Sequence, residues 1–187
     1  ALRIFCLGAS TTIGYPYFYN GAFSALIDDR LEARFPDRTV EVVNVGITAV
    51  NSFTVADLAR DVMRYEPDLL VVYAGQNEFY GALGVGSTEY VGSRRWLVRT
   101  YLALQHLKLV QLLRDGLVRV AGGVSGGGEA DERQLMEKMV RDREIRPGSP
   151  LREAAAGYFR ENYEDVLRTA QAHGVPVLAA TLASVAV

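Results

Sequence analysis

Leu2-Arg3-Ile4-Phe5-Cys6-Leu7-Gly8 runs without a break into Ala9-Ser10-Thr11-Thr12-Ile13-Gly14. The first part is a short apolar run closed by glycine, the pattern of a strand buried on both faces. The second part sets hydroxyl residues between two small, permissive positions, so the strand feeds a turn rather than another strand. Working outward, residues 20–35 place Ala22, Phe23, Leu26, Ile27, Leu31 and Phe35 at helical spacing, and Pro36-Asp37 stops them. Residues 39–45 predict a second strand and 68–74 a third. Between them 54–65 predicts a helix, with Thr54 and Asp57 in capping-box spacing. A long helix is predicted over 150–172, with Ser149 as cap, Pro150 in the first turn and Gly174 past the end. Val175-Pro176-Val177-Leu178 then begins a fourth strand. Strands alternating with helices imply βαβ units: a three-layer α/β domain, with a parallel sheet carrying helices on both faces.

The stretch 82–148 breaks this alternation. It holds an apolar, arginine-bearing helical segment near 94–119, the glycine-rich run 121–128 and a charged helical stretch at 131–143. The glycine run cannot pack a core and is expected to be a loop or hinge. The whole stretch reads as an insertion, in a single domain spanning 1–187, over one end of the sheet. Its apolar face, which includes Trp96, Val98, Leu102 and Leu104, suits packing onto the main core; a lid or acyl groove, or a docking face for the missing segment, is the alternative.

Composition narrows the function. The chain has 187 residues, 49% hydrophobic and 22% charged, ordinary for a globular domain. Its 20 Lys+Arg against 22 Asp+Glu give a net charge of −2, which excludes nucleic-acid binding by bulk electrostatics. A single cysteine, Cys6, excludes a disulfide framework within the chain and a cysteine-based zinc site. Two histidines, His106 and His173, are too few for a histidine-rich metal centre. No metal or cofactor is expected, and no run reaches the roughly 18 apolar residues of a membrane span. The chain opens at Ala1 directly into an apolar run, without a signal-peptide layout, and stops at Val187 close after another. The domain is therefore expected to be C-terminally incomplete, and the sequence leaves its compartment open.

In an open parallel sheet, ligands sit beyond the carboxyl ends of the strands. Three such ends are unusual here. Ser10 follows the first strand at a turn that can present its hydroxyl. Asn44-Val45-Gly46 follows the second, and the glycine gives close access to a backbone N–H. Gly75-Gln76-Asn77-Glu78 follows the third, bringing a carboxamide donor. Each has a plainer reading alone: a hydroxyl-rich loop, a glycine kept for its backbone conformation, an asparagine that satisfies loop carbonyls. Together they supply a nucleophile and donors for a developing oxyanion, the equipment of acyl transfer.

The three motifs, in this order, resemble the first blocks of the SGNH (GDSL-like) hydrolases. Gly8-Ala9-Ser10 stands where that family has Gly-Asp-Ser, and Gly75-Gln76-Asn77-Glu78 where it has Gly-x-Asn-Asp. Gly46 matches the glycine of the second block. The likeness spans about residues 2–80 and resumes at 175–178. Gly14-Tyr15-Pro16-Tyr17 and Asn77-Glu78-Phe79-Tyr80-Gly81 are similar to a bacterial subgroup joined to tetratricopeptide repeats, which implies a repeat domain downstream. The resemblance implies a flavodoxin-like SGNH fold and a serine esterase acting on a carbohydrate or lipid ester. It makes Ser10 the nucleophile, with its own N–H, Gly46 N–H and the Asn77 side chain as oxyanion donors.

The family's Asp-x-x-His block is missing from these 187 residues. The base is expected to lie downstream, and the chain alone is expected to be nearly inactive. His173 falls at the wrong end of the sheet for the task, and His106 lies within the insertion. Ala9, Glu78 and the missing base motivate a second reading, a catalytically impaired binding module on the same fold. A flavodoxin-like phosphate or FMN binder is a third, since Ser10-Thr11-Thr12 could face a phosphate, but it gives Gly46 and Asn77 no shared task.

Overall fold

Strands β1 (Leu2–Gly8), β2 (Val40–Asn44), β3 (Leu69–Tyr73) and β4 (Val177–Ala179) form one parallel sheet of order β2-β1-β3-β4 in the computed structural model. The structure describes residues 1–81, 84, 95–105, 108, 145–146 and 148–182. Register aligns the carboxyl ends: Cys6 pairs with Asn44, Gly8 with Tyr73 and Val72 with Ala179.

The apolar runs of β1 and β3 are continuous because both faces of those strands are covered. Phe5 and Leu7 of β1 and Leu70 and Val72 of β3 turn to one side. There they meet Val55, Ala59 and Val62 of α3 (Ser52–Val62) and Val166 and Ala170 of α5 (Pro150–Ala172). Ile4, Cys6 and Val71, one position out of phase, turn to the other side against Phe23 and Leu31 of α2 (Phe23–Arg34). Each fully buried aliphatic side chain contributes about 1.5–3 kcal/mol. The three-layer α/β arrangement expected from the sequence is the one observed.

Local chemistry moved several boundaries. The segment expected to be helical from 20 begins as a 3-10 turn, Tyr19–Gly21, and α2 starts at Phe23. α3 starts two residues before the expected position, because Asn51 rather than Thr54 caps it: Asn51 Oδ1 accepts from Phe53 N at 3.2 Å. Asp57, expected in a capping box, pairs instead with Arg60 at 2.7 Å. α5 matches its predicted span, and Ser149 Oγ accepts from Arg152 N at 3.3 Å.

Of the inserted stretch, α4 (Arg95–Gln105) is described. Val98 is buried against Phe53, with Leu102 and Tyr158 around it, while Trp96 and Leu104 are exposed. The glycine run 121–128, the stretch 131–143 and His106 lie outside the described residues. Among the described residues, no helix is long and apolar enough to cross a membrane. Nor does any group of three His, Cys, Asp or Glu among them stand ready for a metal ion.

Candidate active site

From β1 the chain passes through α2 to β2 on one side, then through α3 back across β1 to β3 on the other. The connections diverge between β1 and β3, and the crevice beyond that divergence is where an open parallel sheet accepts a ligand. Ser10 leaves β1 and Asn77 follows β3, so the two flank it.

The loops around the crevice are tied to one another. Thr12 Oγ1 donates to Tyr73 O at 3.2 Å, and Gln76 Nε2 donates to Thr11 Oγ1 at 2.7 Å. Those bonds hold the turn carrying Ser10 against the loop carrying Asn77. Gly8 makes the approach possible: a Cβ there would stand 2.1 Å from Thr12 Oγ1 and 2.2 Å from Tyr73 O. On the other side Asn44 Nδ2 donates to Thr12 O at 2.7 Å and to Ser24 Oγ at 2.8 Å. Ser10 opens α1 (Ser10–Ile13) and is half-buried. Its carbonyl accepts from the N–H groups of Gly14 and Tyr15. Its own N–H, in a first turn, has no acceptor within the helix.

Gly46 is placed differently from the expectation of a free donor. Its N–H donates to Asn44 Oδ1 at 2.9 Å, so it is committed within its own loop. The missing side chain serves packing: a Cβ would lie 2.4 Å from Ile13 N and 2.9 Å from Thr12 C. The glycine lets the loop after β2 lie directly on α1.

Asn77 is half-buried, and its Nδ2 is enclosed with no hydrogen-bond partner among the described residues. The next residue, Glu78, is only 6% exposed. Its Oε2 accepts from Ser52 N at 3.1 Å and its Oε1 from Ser52 Oγ at 2.7 Å. Asn162 Nδ2, from α5, donates to the same hydroxyl at 2.9 Å. Burial pushes the Glu78 carboxyl up to about 7, with the two bonds from Ser52 pulling the other way. The loop after β3 is thereby fastened to the start of α3 and to the middle of α5.

Sequence reasoning passed over Ala49, Asn51, Ser52 and Asn162. Ala49 is buried and left-handed, with φ 57°. Its carbonyl lies 3.1 Å from the point where a Cβ on Gly81 would stand, and that point is 2.9 Å from Asn77 Cβ. Alanine carries no signal for that conformation. Asn51 was readable as a helix cap, but nothing in the sequence joined it or Asn162 to Glu78.

His173 follows α5, is exposed, and holds Nδ1 2.8 Å from Thr169 O. It sits beside Met63, Glu66 and Asp68 at the amino ends of the strands, away from Ser10. Cys6 is fully buried, and burial pushes its thiol up to about 11, so it offers no thiolate at neutral pH. Beyond Gly75, an apolar cavity of about 440 Å³ opens at the carboxyl ends of β3 and β4, lined by Ala74, Phe159, Tyr163, Ala180 and Leu182 among others.

No family model matches the chain, and no curated protein matches it. Among solved structures it is similar to GDSL and SGNH hydrolases and esterases. One is the psychrotrophic esterase EstA from Pseudoalteromonas sp., 14% identical, with 96% of this chain and 78% of that one covered and a TM-score of 0.40. Another is Axe2, an acetylxylan esterase from Geobacillus stearothermophilus, at 17% identity, 95% and 75% coverage and a TM-score of 0.38. A third is AlinE4, an SGNH-hydrolase family esterase, at 13% identity, 95% and 75% coverage and a TM-score of 0.39.

Proposed function

We propose that the crevice between β1 and β3 is the site of a serine ester hydrolase of the SGNH type, with Ser10 as nucleophile. The observation that carries this reading is the unmatched donor of Asn77, enclosed on a loop that is bonded directly to the turn carrying Ser10. A buried donor without an acceptor is a cost that a folded protein retains at few places, and oxyanion sites are among them. In the proposed reaction Ser10 Oγ bonds to the ester carbonyl carbon and the carbonyl π pair moves onto oxygen. Ser10 N–H and Asn77 Nδ2 donate to that oxygen. Ser10 Oγ gives up its proton as it bonds, the leaving alkoxide oxygen takes up a proton and departs as the alcohol, and the acyl-serine left behind is hydrolysed by water, which yields the acid and returns a proton to Oγ. Gly46 contributes by seating its loop on α1. The apolar cavity beyond Gly75 suits an uncharged acyl chain.

The test is covalent labelling of the full-length protein with an alkyl fluorophosphonate. The Oγ–P bond forms, the P–F bond breaks, and the hydroxyl proton leaves with fluoride. Labelling confined to Ser10, lost in S10A and slowed about 10²–10³-fold in N77A, is the expected result. No labelling between pH 6 and 9 would favour the second reading, a binding module on this fold. Ala9 and Glu78, where the family has Asp, together with the missing Asp-x-x-His block, are what favour that reading.

A further inference from the structure

The loop 14–21, which joins α1 to α2, exposes Tyr17 at 77%, Phe18 at 68% and Tyr19 at 73%, three consecutive aromatic side chains open to solvent. Its backbone is nonetheless well tied. Gly14 N and Tyr15 N donate to Ser10 O at 3.1 and 3.0 Å, and Gly21 N donates to Phe18 O at 3.1 Å. The two ends of the loop meet, since a Cβ on Gly14 would stand 2.9 Å from Ala22 Cβ. Phe18 holds φ 55° and ψ −154°, a conformation ordinarily left to glycine. The aromatic tip is thus fastened to the residue that carries the nucleophile. The rim around it is uncharged. No Asp, Glu, Lys, Arg or His occurs in 4–27, 42–56, 69–77 or 177–182, which hold the chain just beyond each of the four strands, and Glu78 after the third is buried. Charge gathers at the opposite end of the sheet, where Arg3 pairs with Glu41 and where Glu66, Asp68 and His173 lie.

We propose that this loop seats the carboxyl rim of the sheet on a lipid surface of uncharged or zwitterionic headgroups, and that the ester attacked by Ser10 belongs to a lipid in that surface. The inference rests on the hydrolase reading above and names its substrate class. Phenylalanine and tyrosine rings bury apolar area at a bilayer interface, and tyrosine keeps its hydroxyl among the headgroups. Proteins leave a run of such rings in water at few places, and membrane contacts are among them. A neutral rim offers an anionic ligand no partner charge, so the surface it fits is one recognised by its apolar interior. A sugar ring stacks on a broad aromatic face, whereas the ring pair within this loop, Tyr15 and Phe18, stands edge-on at 79° with centroids 6.4 Å apart. Fluid acyl chains make no such demand. The apolar cavity at the ends of β3 and β4 lies on the same rim, and its Phe159, Tyr163 and Leu182 suit a chain drawn from that surface.

The measurement is flotation of the full-length protein with phosphatidylcholine vesicles, read beside Ser10 labelling by the alkyl fluorophosphonate and the urea midpoint. Wild type is expected to float equally at about 0.1 and 0.5 M NaCl, since no charge pair is involved. Phe18→Gly removes a ring where the backbone already suits glycine, and Y17S/Y19S removes two rings from exposed positions. Both variants are expected to keep the wild-type midpoint and labelling rate, with vesicle affinity weakened about tenfold in F18G and about 10²-fold in Y17S/Y19S. Hydrolysis of a long-chain ester carried in the vesicles should fall with the affinity, and that of a soluble short-chain ester should not. Should the double variant fail to fold, F18G alone carries the comparison. Wild type that stays off the vesicles or floats only at low salt, or folded variants that bind within twofold of it, overturns the proposal. Retention on an acetylated glycan in place of the vesicles also overturns it and assigns the rim to a carbohydrate ester. Vesicle binding without any labelling of Ser10 leaves the lipid seat standing and removes the hydrolase reading, with the substrate class that rests on it.

Discussion

Replacing Glu78 by glutamine should erase one segment of the protein's pH–stability curve. Burial at the contact with Ser52 holds the carboxyl at about 7 in the folded chain, against an ordinary value of 4.5 once unfolding exposes it. Between those values the unfolded chain has released the proton and the folded chain still holds it. Stability therefore falls as pH rises through this window. The contribution is complete below pH 4.5, is lost by the time pH has passed 7, and changes little above. A displacement from 4.5 to about 7 corresponds to roughly 3 kcal/mol. Glutamine is close in shape to the neutral acid and, like it, can keep one oxygen accepting from Ser52 and offer a donor where the carboxylate has its second acceptor. E78Q should match wild type near pH 4 and exceed it by up to about 3 kcal/mol at pH 8. Urea denaturation of both proteins from pH 4 to 9 measures this, and taking the difference cancels the other titrating groups. Parallel curves across the range would mean that Glu78 titrates normally and that its enclosure is wrongly understood.

Asn44→Ala should destabilise by about 2–4 kcal/mol, because it removes two donated bonds and leaves Gly46 N–H without its acceptor; a shift in urea midpoint equivalent to under 0.5 kcal/mol would show that the clamp is slack. Gly46→Ala retains the N–H but sets a methyl 2.4 Å from Ile13 N, so it should cost about 1–3 kcal/mol by overpacking. If G46A keeps the wild-type urea midpoint, the loop after β2 has room for a methyl and its close seating on α1 is misread.

The strands and the long helix were legible because both signals are local. Leu2–Gly8 and Leu69–Tyr73 read as continuous apolar runs and proved to be strands covered on both faces. Ser149, Pro150 and Gly174 bracketed α5 by backbone chemistry that needs no tertiary partner. Ser10 and Asn77 could be placed at one end of the sheet because strand direction alone sorts residues to the two ends. What stayed hidden depends on side-chain direction at long separation. Gly46 could be read as a position of close approach, but not that Asn44 two residues earlier takes its N–H. Glu78 looked like a minor departure from a motif, since the hydroxyl it accepts from is 26 residues earlier and the amide steadying that hydroxyl comes from Asn162.

That last arrangement has a consequence for the chain on either side of it. Glu78 precedes the stretch 82–148 and Asn162 follows it, and both are fastened to one hydroxyl, that of Ser52. The two limbs are thus stitched together directly at Ser52, so the span of chain between them does not set how far apart they sit.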